Sequence, residues 1–273
     1  MKLRELKAEF LNEIDAVDVR MIIRMASGFD DIAQIVHADD EIDVDTEAKA
    51  RRILGKRLSG TPMAYITGEK EFYGLPFSVN EDVLIPRPDT ETLVDAAIEC
   101  ASSFENPRIL DLCTGSGAVG TAIAHTLSVP VALSDISEKA LRTATENYSR
   151  ITGREPEARL GSLFEPWEGV SFDIIATNPP YVTDKWYEEV DKDVKTEPKL
   201  ALIGGGDDGL DIIRKIIAEA PEHLNDGGYL LIECDYRQIA LCARIMEQAG
   251  LGHIAVKKDL AGKERVIYGR KRT

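Results

Sequence analysis

Four consecutive residues, Asn178, Pro179, Pro180 and Tyr181, have the composition of a site that binds a planar amino group. The Asn side chain has one carbonyl acceptor and two amide donors. Pro179 has no N–H, and it follows a mostly apolar run at 172–177 that predicts a strand, so its carbonyl oxygen is expected to lack a ladder partner. Two such oxygens can accept both hydrogens of an –NH2 group. The alternative is a Pro-Pro turn that ends the strand, with an Asn that caps it.

A glycine-rich segment lies upstream of this turn. An apolar run at 108–112 precedes it and a helical pattern at 118–127 follows it; between them stand Cys113, Thr114, Gly115, Ser116 and Gly117. Strand, glycine turn and helix in this order form the first half of a Rossmann-like nucleotide site. The next apolar run, 131–134, ends at Asp135, whose carboxylate can accept hydrogen bonds from ribose hydroxyls. The alternative for the glycine segment is an ordinary turn, and the alternative for Asp135 is a helix N-cap.

The glycine segment alone does not identify its ligand. Residues 115–120 match the dinucleotide pattern GxGxxG, and an acidic residue about twenty positions later suits NAD as well. Hydride transfer has no evident use for an amine-binding turn at 178–181, whereas methyl transfer from S-adenosylmethionine to nitrogen does. The two segments together therefore favour methyl transfer.

The elements that must position these segments follow from the apolar pattern. Residues 1–58 have the three- and four-residue spacing of short helices, including one from Ala48 to Leu58, and a strand pair is predicted at 69–79. From about residue 88, apolar runs alternate with helical patterns, which predicts a mostly parallel sheet with helices on both faces. Its strands are predicted at 108–112, 131–134, 157–160, 172–177, 228–234, 252–258 and 264–269. Because only residues 259–263 join the last two strands, the last strand must be antiparallel.

Composition argues against several classes of protein. A chain of 273 residues with 44% hydrophobic and 30% charged residues is ordinary for a soluble globular protein. The four cysteines form no CxxC pair and the four histidines have no metal-ligand spacing, so we expect free thiols and no metal. The charge of −15 disfavours a general nucleic-acid binder. The charged N-terminus lacks a secretory apolar segment, which predicts a cytoplasmic protein.

Over nearly its whole length the chain resembles the HemK/PrmC-type protein-(glutamine-N5) methyltransferases of peptide chain release factors. The blocks that carry the resemblance are 62–68, 84–91, 111–117, 178–182, 197–198, 200–202, 208–210 and 265–266. It implies an α/β, class I S-adenosylmethionine-dependent methyltransferase fold. Such a fold has a Rossmann-like, seven-stranded, mostly parallel sheet with an antiparallel last strand, preceded here by a small N-terminal helical domain. The implied domains are a helical substrate-docking domain at 1–68, a β-hairpin linker at 69–87 and a catalytic domain at 88–273.

The resemblance also implies a reaction. A methyl group would pass from S-adenosyl-L-methionine to the side-chain amide nitrogen of the glutamine in the Gly-Gly-Gln motif of class I release factors, leaving S-adenosyl-L-homocysteine. The helical domain would hold the body of the factor. The implied cofactor contacts are Cys113, Thr114, Gly115, Ser116, Gly117, Asp135, Leu163 and Asn178. The implied substrate contacts are Asn178, Pro179, Pro180 and Tyr181, of which Asn178, Pro179 and Tyr181 would be catalytic.

Some positions carry open alternatives or depart from the family pattern. Tyr181 either stacks on the substrate amide or packs into the core. Residues 89–91 either cap a helix or enter the site, and residues 182–209 are long enough to form a lid. Cys113 stands where the family has glycine, which is acceptable if its φ is negative. Asp235 also replaces a glycine and would be strained at positive φ.

Two other functions fit parts of the pattern. Adenine-N6 nucleic-acid methyltransferases share the Asn-Pro-Pro-Tyr type of turn, because their acceptor is also a planar –NH2 group. Such an enzyme flips its base and usually carries a basic recognition domain, yet the first 80 residues here contain 15 acidic and 11 basic residues. A non-catalytic S-adenosylmethionine-binding subunit is the second alternative, and the intact turn at 178–181 argues against it.

Overall fold

The structure of the protein is a computed structural model, and it describes residues 1–272. The chain divides into two compact units. The first comprises Met1–Gly68 together with Lys192–Thr196, and the second comprises Glu69–Asp191 together with the chain from Glu197 onward. Within residues 1–272, no helix combines the length and apolar character needed to cross a membrane.

The first unit is helical. Its helices are α1 (Leu3–Phe10), α2 (Ala16–Ser27), α3 (Asp31–Val36), α4 (Val44–Leu58) and α5 (Met63–Thr67). The Asp43 carboxylate accepts a hydrogen bond from the Thr46 N–H at 2.8 Å and caps α4. Because of this cap, α4 begins four residues before the predicted start at Ala48.

Apolar side chains at the predicted three- and four-residue spacing form the core of the helical unit. Its fully buried side chains include Leu3, Leu6 and Phe10 of α1, which pack with α2 and α4. Arg57 of α4 forms ion pairs with Asp18 at 2.5 Å and with Asp193 at 2.9 Å. Five residues of the segment predicted as a lid, 192–196, therefore belong to this unit.

The second unit begins with the predicted hairpin. Strands β1 (Glu69–Phe72) and β2 (Leu75–Ser78) pair antiparallel around Tyr73 and Gly74. These two turn residues have φ values of 54° and 71°, the left-handed conformation at both positions that a type I′ turn requires.

A seven-stranded sheet follows over the described residues. Its strands are β3 (Ile109–Leu112), β4 (Val131–Asp135), β5 (Ala158–Leu160), β6 (Phe172–Thr177), β7 (Leu224–Glu233), β8 (Leu251–Lys258) and β9 (Glu264–Lys271), in the order β5-β4-β3-β6-β7-β9-β8. The first five strands in this order are parallel, whereas β9 is antiparallel to both of its neighbours. The predicted sheet with an antiparallel last strand is confirmed.

Helices cover both faces of this sheet. They are α6 (Glu91–Ala101), α7 (Ala118–Leu127), α8 (Glu138–Thr152), α10 (Asp211–His223) and α11 (Ile239–Gln248); a further helix, α9 (Asp184–Glu189), has no buried residue. On one face, α6, α7 and α8 bury apolar side chains against β3, β4 and β6. On the other face, α10 and α11 pack against the alternate residues of the same strands. The central strands β3, β4 and β6 are mostly apolar because both of their faces are covered.

The chain order reverses between β3 and β6, which makes their carboxyl ends the binding edge expected of such sheets. Leu112 is paired with Thr177, so the glycine segment and the turn at 178–181 emerge side by side. The Thr177 hydroxyl donates to the Leu112 carbonyl at 2.7 Å and fixes this junction. Residues about 65 positions apart thus meet at one edge of the sheet.

Candidate active site

A cavity of about 230 Å³ opens at this edge. Eight of the predicted site residues line it: Cys113, Thr114, Gly115, Ser116, Asp135, Leu163, Asn178 and Pro180. The other three, Gly117, Pro179 and Tyr181, are not on its wall. The cavity also includes residues from the 82–90 segment and from the predicted lid, namely Pro198, Leu200 and Ala201.

The glycine turn is held in place by a buried carboxylate. Asp111 accepts hydrogen bonds from the Thr114 hydroxyl at 2.6 Å and from the Gly120 N–H at 2.8 Å. Burial raises the pKa of Asp111 to about 7, although these two donors favour the ionised form. A Cβ on Gly120 would lie 2.6 Å from the Leu133 side chain, so only glycine lets α7 approach the strands this closely.

Asp135 faces the same turn. One carboxylate oxygen accepts the Gly115 N–H at 2.9 Å and the other accepts the Ser137 N–H at 2.9 Å. Helix α8 is capped by Ser137, whose hydroxyl accepts the Ala140 N–H, and not by Asp135. Each oxygen of Asp135 keeps acceptor capacity toward the cavity, as contact with a vicinal diol would require.

Gly117 has a packing role in this structure. Its φ is 81°, and a Cβ there would lie 2.9 Å from the backbone of Ala144 in α8. Its N–H closes the turn on the Thr114 carbonyl at 2.8 Å. The glycine therefore lets α7 and α8 approach each other, and it does not reach the cavity.

The two departures from the family pattern differ in backbone conformation. Cys113 has a φ of 60°, so the negative φ that would make this departure acceptable is not present. Asp235, by contrast, is not among the positive-φ residues of the described chain. Its carboxylate accepts two hydrogen bonds from the Arg237 guanidinium, at 2.6 and 3.0 Å, and the strain considered for this position is absent.

The Asn178 side chain is oriented by one contact. Its Nδ2 donates to the Thr90 hydroxyl oxygen at 3.3 Å, which leaves Oδ1 on the other side of the amide group. Within residues 1–272, no donor meets Asn178 Oδ1 or the Pro179 carbonyl oxygen. Two acceptors without donors therefore stand at the end of β6. Asn178 lines the cavity, whereas Pro179 is buried and is not on the cavity wall.

Tyr181 takes the core-packing alternative. Its ring packs against the apolar cluster beneath β6 and β7, and its hydroxyl donates to Glu233 Oε1 at 3.4 Å. Burial raises the pKa of this phenol far above its ordinary value. The main-chain oxygen of Tyr181 accepts the Gln238 side-chain amide at 2.9 Å, so the turn is held from both its side chain and its backbone.

Of residues 89–91, only Thr90 reaches the cavity. Asp89 forms an ion pair with Arg265 at 3.0 Å, and Glu91 accepts the Tyr73 N–H at 2.9 Å. Thr90 precedes α6 without making a capping bond, which leaves its hydroxyl for Asn178. It belongs to the site, whereas its two neighbours stabilise the surrounding structure.

Sequence reasoning gave no role to two buried glutamates. Glu197 accepts the Ile85 N–H at 2.9 Å and pairs with Arg87, which joins the 84–87 segment to the start of the 197–202 segment. Glu233 lies under Thr90 and Tyr181. Glu197 stands in a block that carries the family resemblance, and Glu233 stands two residues before Asp235, in the family pattern from which Asp235 departs.

The chain is similar to several known proteins. The profile of the methyltransferase small domain matches residues 90–200, and that of the PrmC N-terminal domain matches residues 3–68. A release factor glutamine methyltransferase of Neisseria gonorrhoeae is 38% identical over 266 residues, covering 95% of each chain. One from Deinococcus radiodurans is 34% identical, covering 93% of this chain and 91% of its own.

A solved structure shares the fold. The Thermus thermophilus 16S rRNA N2 G1207 methyltransferase, in complex with AdoMet and guanosine, superposes with a TM-score of 0.55. It is 18% identical and covers 75% of this chain and 50% of its own. At this identity the likeness establishes the architecture alone.

Proposed function

This chain belongs to the release factor glutamine methyltransferase family, and on that premise we propose that it methylates the side-chain amide nitrogen of a glutamine, using S-adenosyl-L-methionine as donor. The acceptor we propose is the glutamine of the Gly-Gly-Gln motif of class I peptide chain release factors. The observation that carries the proposal is the pair of free acceptors, Asn178 Oδ1 and the Pro179 carbonyl, at the end of β6.

The cavity has features that fit S-adenosylmethionine. Asp135 keeps acceptor capacity for the ribose hydroxyls, and Gly115 has open space where a side chain would stand. Leu163 would contact the adenine, and Thr114 and Ser116 line the wall between these ends. When bound, this donor supplies an electrophilic methyl carbon on a sulfonium.

The residues at 178–179 address the main difficulty of the reaction. An amide nitrogen is a poor nucleophile because its lone pair is delocalised into the carbonyl group. Two acceptors that each take one N–H fix the plane of the amide and direct the lone pair at the methyl carbon. Correct positioning of reacting atoms about 3–3.5 Å apart can contribute roughly 7–11 kcal/mol.

The same two oxygens also act on developing charge. As the nitrogen bonds to carbon it becomes positive, and two fixed carbonyl dipoles stabilise that charge without reorganising. The Asn178 side chain is fixed by Thr90 and the Pro179 carbonyl by the rigid turn, so both dipoles are in place beforehand. No strong base is needed for the methyl transfer itself, since proton loss can follow it.

The helical unit supplies the second part of the proposal, the docking of the protein substrate. Three apolar side chains of α3, Ile32, Ile35 and Val36, are at least 70% exposed. Apolar residues this exposed on one short helix are typical of a surface that contacts a partner. A cytoplasmic location fits, because all four cysteines are unpaired and release factors act there.

The direct test mixes purified protein, methyl-labelled donor and a class I release factor. Label should appear in the wild-type factor and be absent from a factor whose motif glutamine is changed to alanine. Equal labelling of the two factors would refute the acceptor assignment. A short Gly-Gly-Gln peptide should be methylated with a higher KM than the whole factor, since it lacks the docking surface, and a synthetic DNA duplex should stay unlabelled.

The role of Asn178 is tested by Asn178→Ala. Turnover should fall roughly 10²–10³-fold, by analogy with removal of one transition-state hydrogen-bonding group, while S-adenosylhomocysteine binding measured by calorimetry changes little. Asn225→Ala, which removes a surface Asn that bonds Asp173, is the matched control and should keep wild-type turnover. Undiminished turnover in Asn178→Ala would dismiss the amide cradle.

A further inference from the structure

A chain of polar groups extends behind Asn178, away from the cavity. Asn178 Nδ2 donates to Thr90 Oγ1 at 3.3 Å. The hydroxyls of Thr90 and Tyr181 both lower the pKa of the Glu233 carboxyl and so favour its ionised form, and the Tyr181 hydroxyl donates to Glu233 Oε1 at 3.4 Å. Glu233 is only 2% exposed, and its Oε2 has no hydrogen-bond partner of regular geometry within residues 1–272.

The single hydrogen of the Thr90 hydroxyl decides what Asn178 presents to the cavity. If this hydrogen points at an ionised Glu233, the Thr90 oxygen offers only lone pairs to Asn178 and must face its –NH2 group. If Glu233 is protonated, it can donate to the Thr90 oxygen, and the Thr90 hydrogen is then free to donate to Asn178 Oδ1. That second state turns the amide over and presents –NH2 where an acceptor is needed.

We propose that Glu233 is a positioning residue for methyl transfer, which through Thr90 keeps the carbonyl oxygen of Asn178 turned toward the substrate amide. This inference rests on the proposed function, because it assigns a purpose to the orientation of Asn178. Glu233 is buried and is not on the cavity wall, so the role proposed for it is indirect and passes through Thr90.

The surroundings of Glu233 make this orientation sensitive to pH. The pKa of Glu233 is raised to about 7, mainly by burial and to a smaller extent by the Asp89 carboxylate. The hydroxyls of Thr90 and Tyr181 and the guanidinium of Arg265, from the adjacent strand β9, act in the opposite direction. Asp235, two residues further along the chain, is paired with Arg237. The carboxyl therefore changes charge near neutral pH.

The direction of the pH effect on turnover follows from the protonation state of Glu233. Above the pKa of Glu233 the carboxylate takes the Thr90 hydrogen and the productive orientation of Asn178 dominates. As pH falls through about 7, Glu233 becomes neutral and the orientation is no longer fixed. Turnover at saturating donor and acceptor should therefore fall as Glu233 becomes protonated, whereas the affinity for the donor should not change with the protonation of Glu233.

The first experiment measures kcat against pH, from about 5.5 to 9, for the wild type and for Glu233→Gln. At high pH the variant should lose about 10- to 100-fold in kcat, because a misdirected amide no longer aligns the acceptor. Its profile should lose the step near 7 that we expect of the wild type. A wild-type profile without this step, or an unchanged step in the variant, would overturn the inference.

Threonine variants keep Glu233 in place and serve if Glu233→Gln folds poorly. Thr90→Val removes the hydroxyl at constant shape and should reproduce the loss, whereas Thr90→Ser should recover most of it. Thr121→Val is the matched control, since Thr121 is buried in α7 with a hydroxyl that has no partner. A Thr90→Val enzyme with wild-type kcat and pH step would exclude the relay.

A spectroscopic measurement separates this inference from the proposed function. The side-chain amide signals of Asn178, followed by ¹⁵N–¹H NMR, should shift with a midpoint near pH 7 and should not do so in Glu233→Gln or Thr90→Val. Absence of this shift in the wild type would overturn the inference even if glutamine is methylated. A protein that shows the shift but methylates no release factor would refute the proposed acceptor and retain the relay.

Discussion

Cys113 shows how one residue in the site can be strained. Its φ of 60° lies in the left-handed region, where a residue with a Cβ costs roughly 1–2 kcal/mol relative to the right-handed form. Burial raises the pKa of its thiol to about 12, so the thiol stays protonated beside the cavity. The position therefore contributes its backbone conformation to the glycine turn and has no evident chemical role.

Substitution of Cys113 tests this strain. Cys113→Gly should change the free energy of unfolding by less than about 1 kcal/mol, because relief of strain is offset by the greater freedom of glycine in the unfolded chain. Cys113→Val should lower it by about 2 kcal/mol or more, since β-branched residues are strongly disfavoured at positive φ. Urea denaturation measures both.

The control for this pair is Cys234→Val, a buried position outside the left-handed region. In this control, the free energy of unfolding should fall by less than about 1.5 kcal/mol, the usual cost of a change that nearly conserves volume. A Cys113→Val protein as stable as Cys113→Gly would mean that the turn adopts another conformation.

At the scale of elements, Gln238 joins three connecting segments of the catalytic unit. Its Nε2 donates to the main-chain oxygens of Tyr181 at 2.9 Å and Asp208 at 2.7 Å, and its Oε1 accepts the Asp235 N–H at 3.1 Å. Gly209 fits beside this junction because a Cβ there would lie 2.3 Å from the Tyr181 oxygen. The turn after β6, the loop before α10 and the turn after β7 are thus fixed together.

Removal of this junction should affect both stability and reaction. Gln238→Ala leaves buried carbonyl oxygens without donors, which should lower the free energy of unfolding by about 2–3 kcal/mol. It should also lower kcat, because the backbone that carries the Pro179 carbonyl is no longer held. Urea denaturation and methyl-transfer rates measure the two effects, and Gln248→Ala, at the exposed end of α11, is the control. Equal behaviour of the two variants would contradict this role.

At the scale of the whole molecule, two buried carboxyls oppose folding at neutral pH. Burial raises the pKa of Asp111 and of Glu233 to about 7, well above their values in an unfolded chain. Between those values the folded state binds more protons than the unfolded state. The contribution of these groups to stability is therefore greatest at low pH and is lost as pH rises through about 7.

Glu233→Gln isolates one of these two contributions. The variant cannot titrate at this position, so its stability relative to the wild type should rise between pH 4.5 and about 7. The rise should be on the order of a few kcal/mol, since one pKa unit corresponds to about 1.4 kcal/mol. Chemical denaturation at several pH values measures the difference. Glu264→Gln, at an exposed position of β9, is the control. A difference independent of pH in Glu233→Gln would mean that the pKa of Glu233 is not raised.

The sequence by itself determined the architecture and the chemistry at the edge of the sheet. Apolar runs at strand length, alternating with helical patterns, specify the sheet because strands covered on both faces must be apolar throughout. The residue types at 178–181 and the glycines at 115–120 are local requirements of turns, which a chain displays in consecutive positions. Seven strands and the position of the turn after β6 were therefore predictable.

Tertiary structure alone decided which side chains share the site. Thr90 and Asn178 are 88 residues apart, and no local pattern states that their side chains meet. The displacement of Gly117 and Tyr181 from the cavity, and the positive φ of Cys113, depend on how α7, α8 and β7 pack around them. Such features arise from contacts between distant segments, so neither the periodicity of apolar residues nor the turn residues in the sequence predict them.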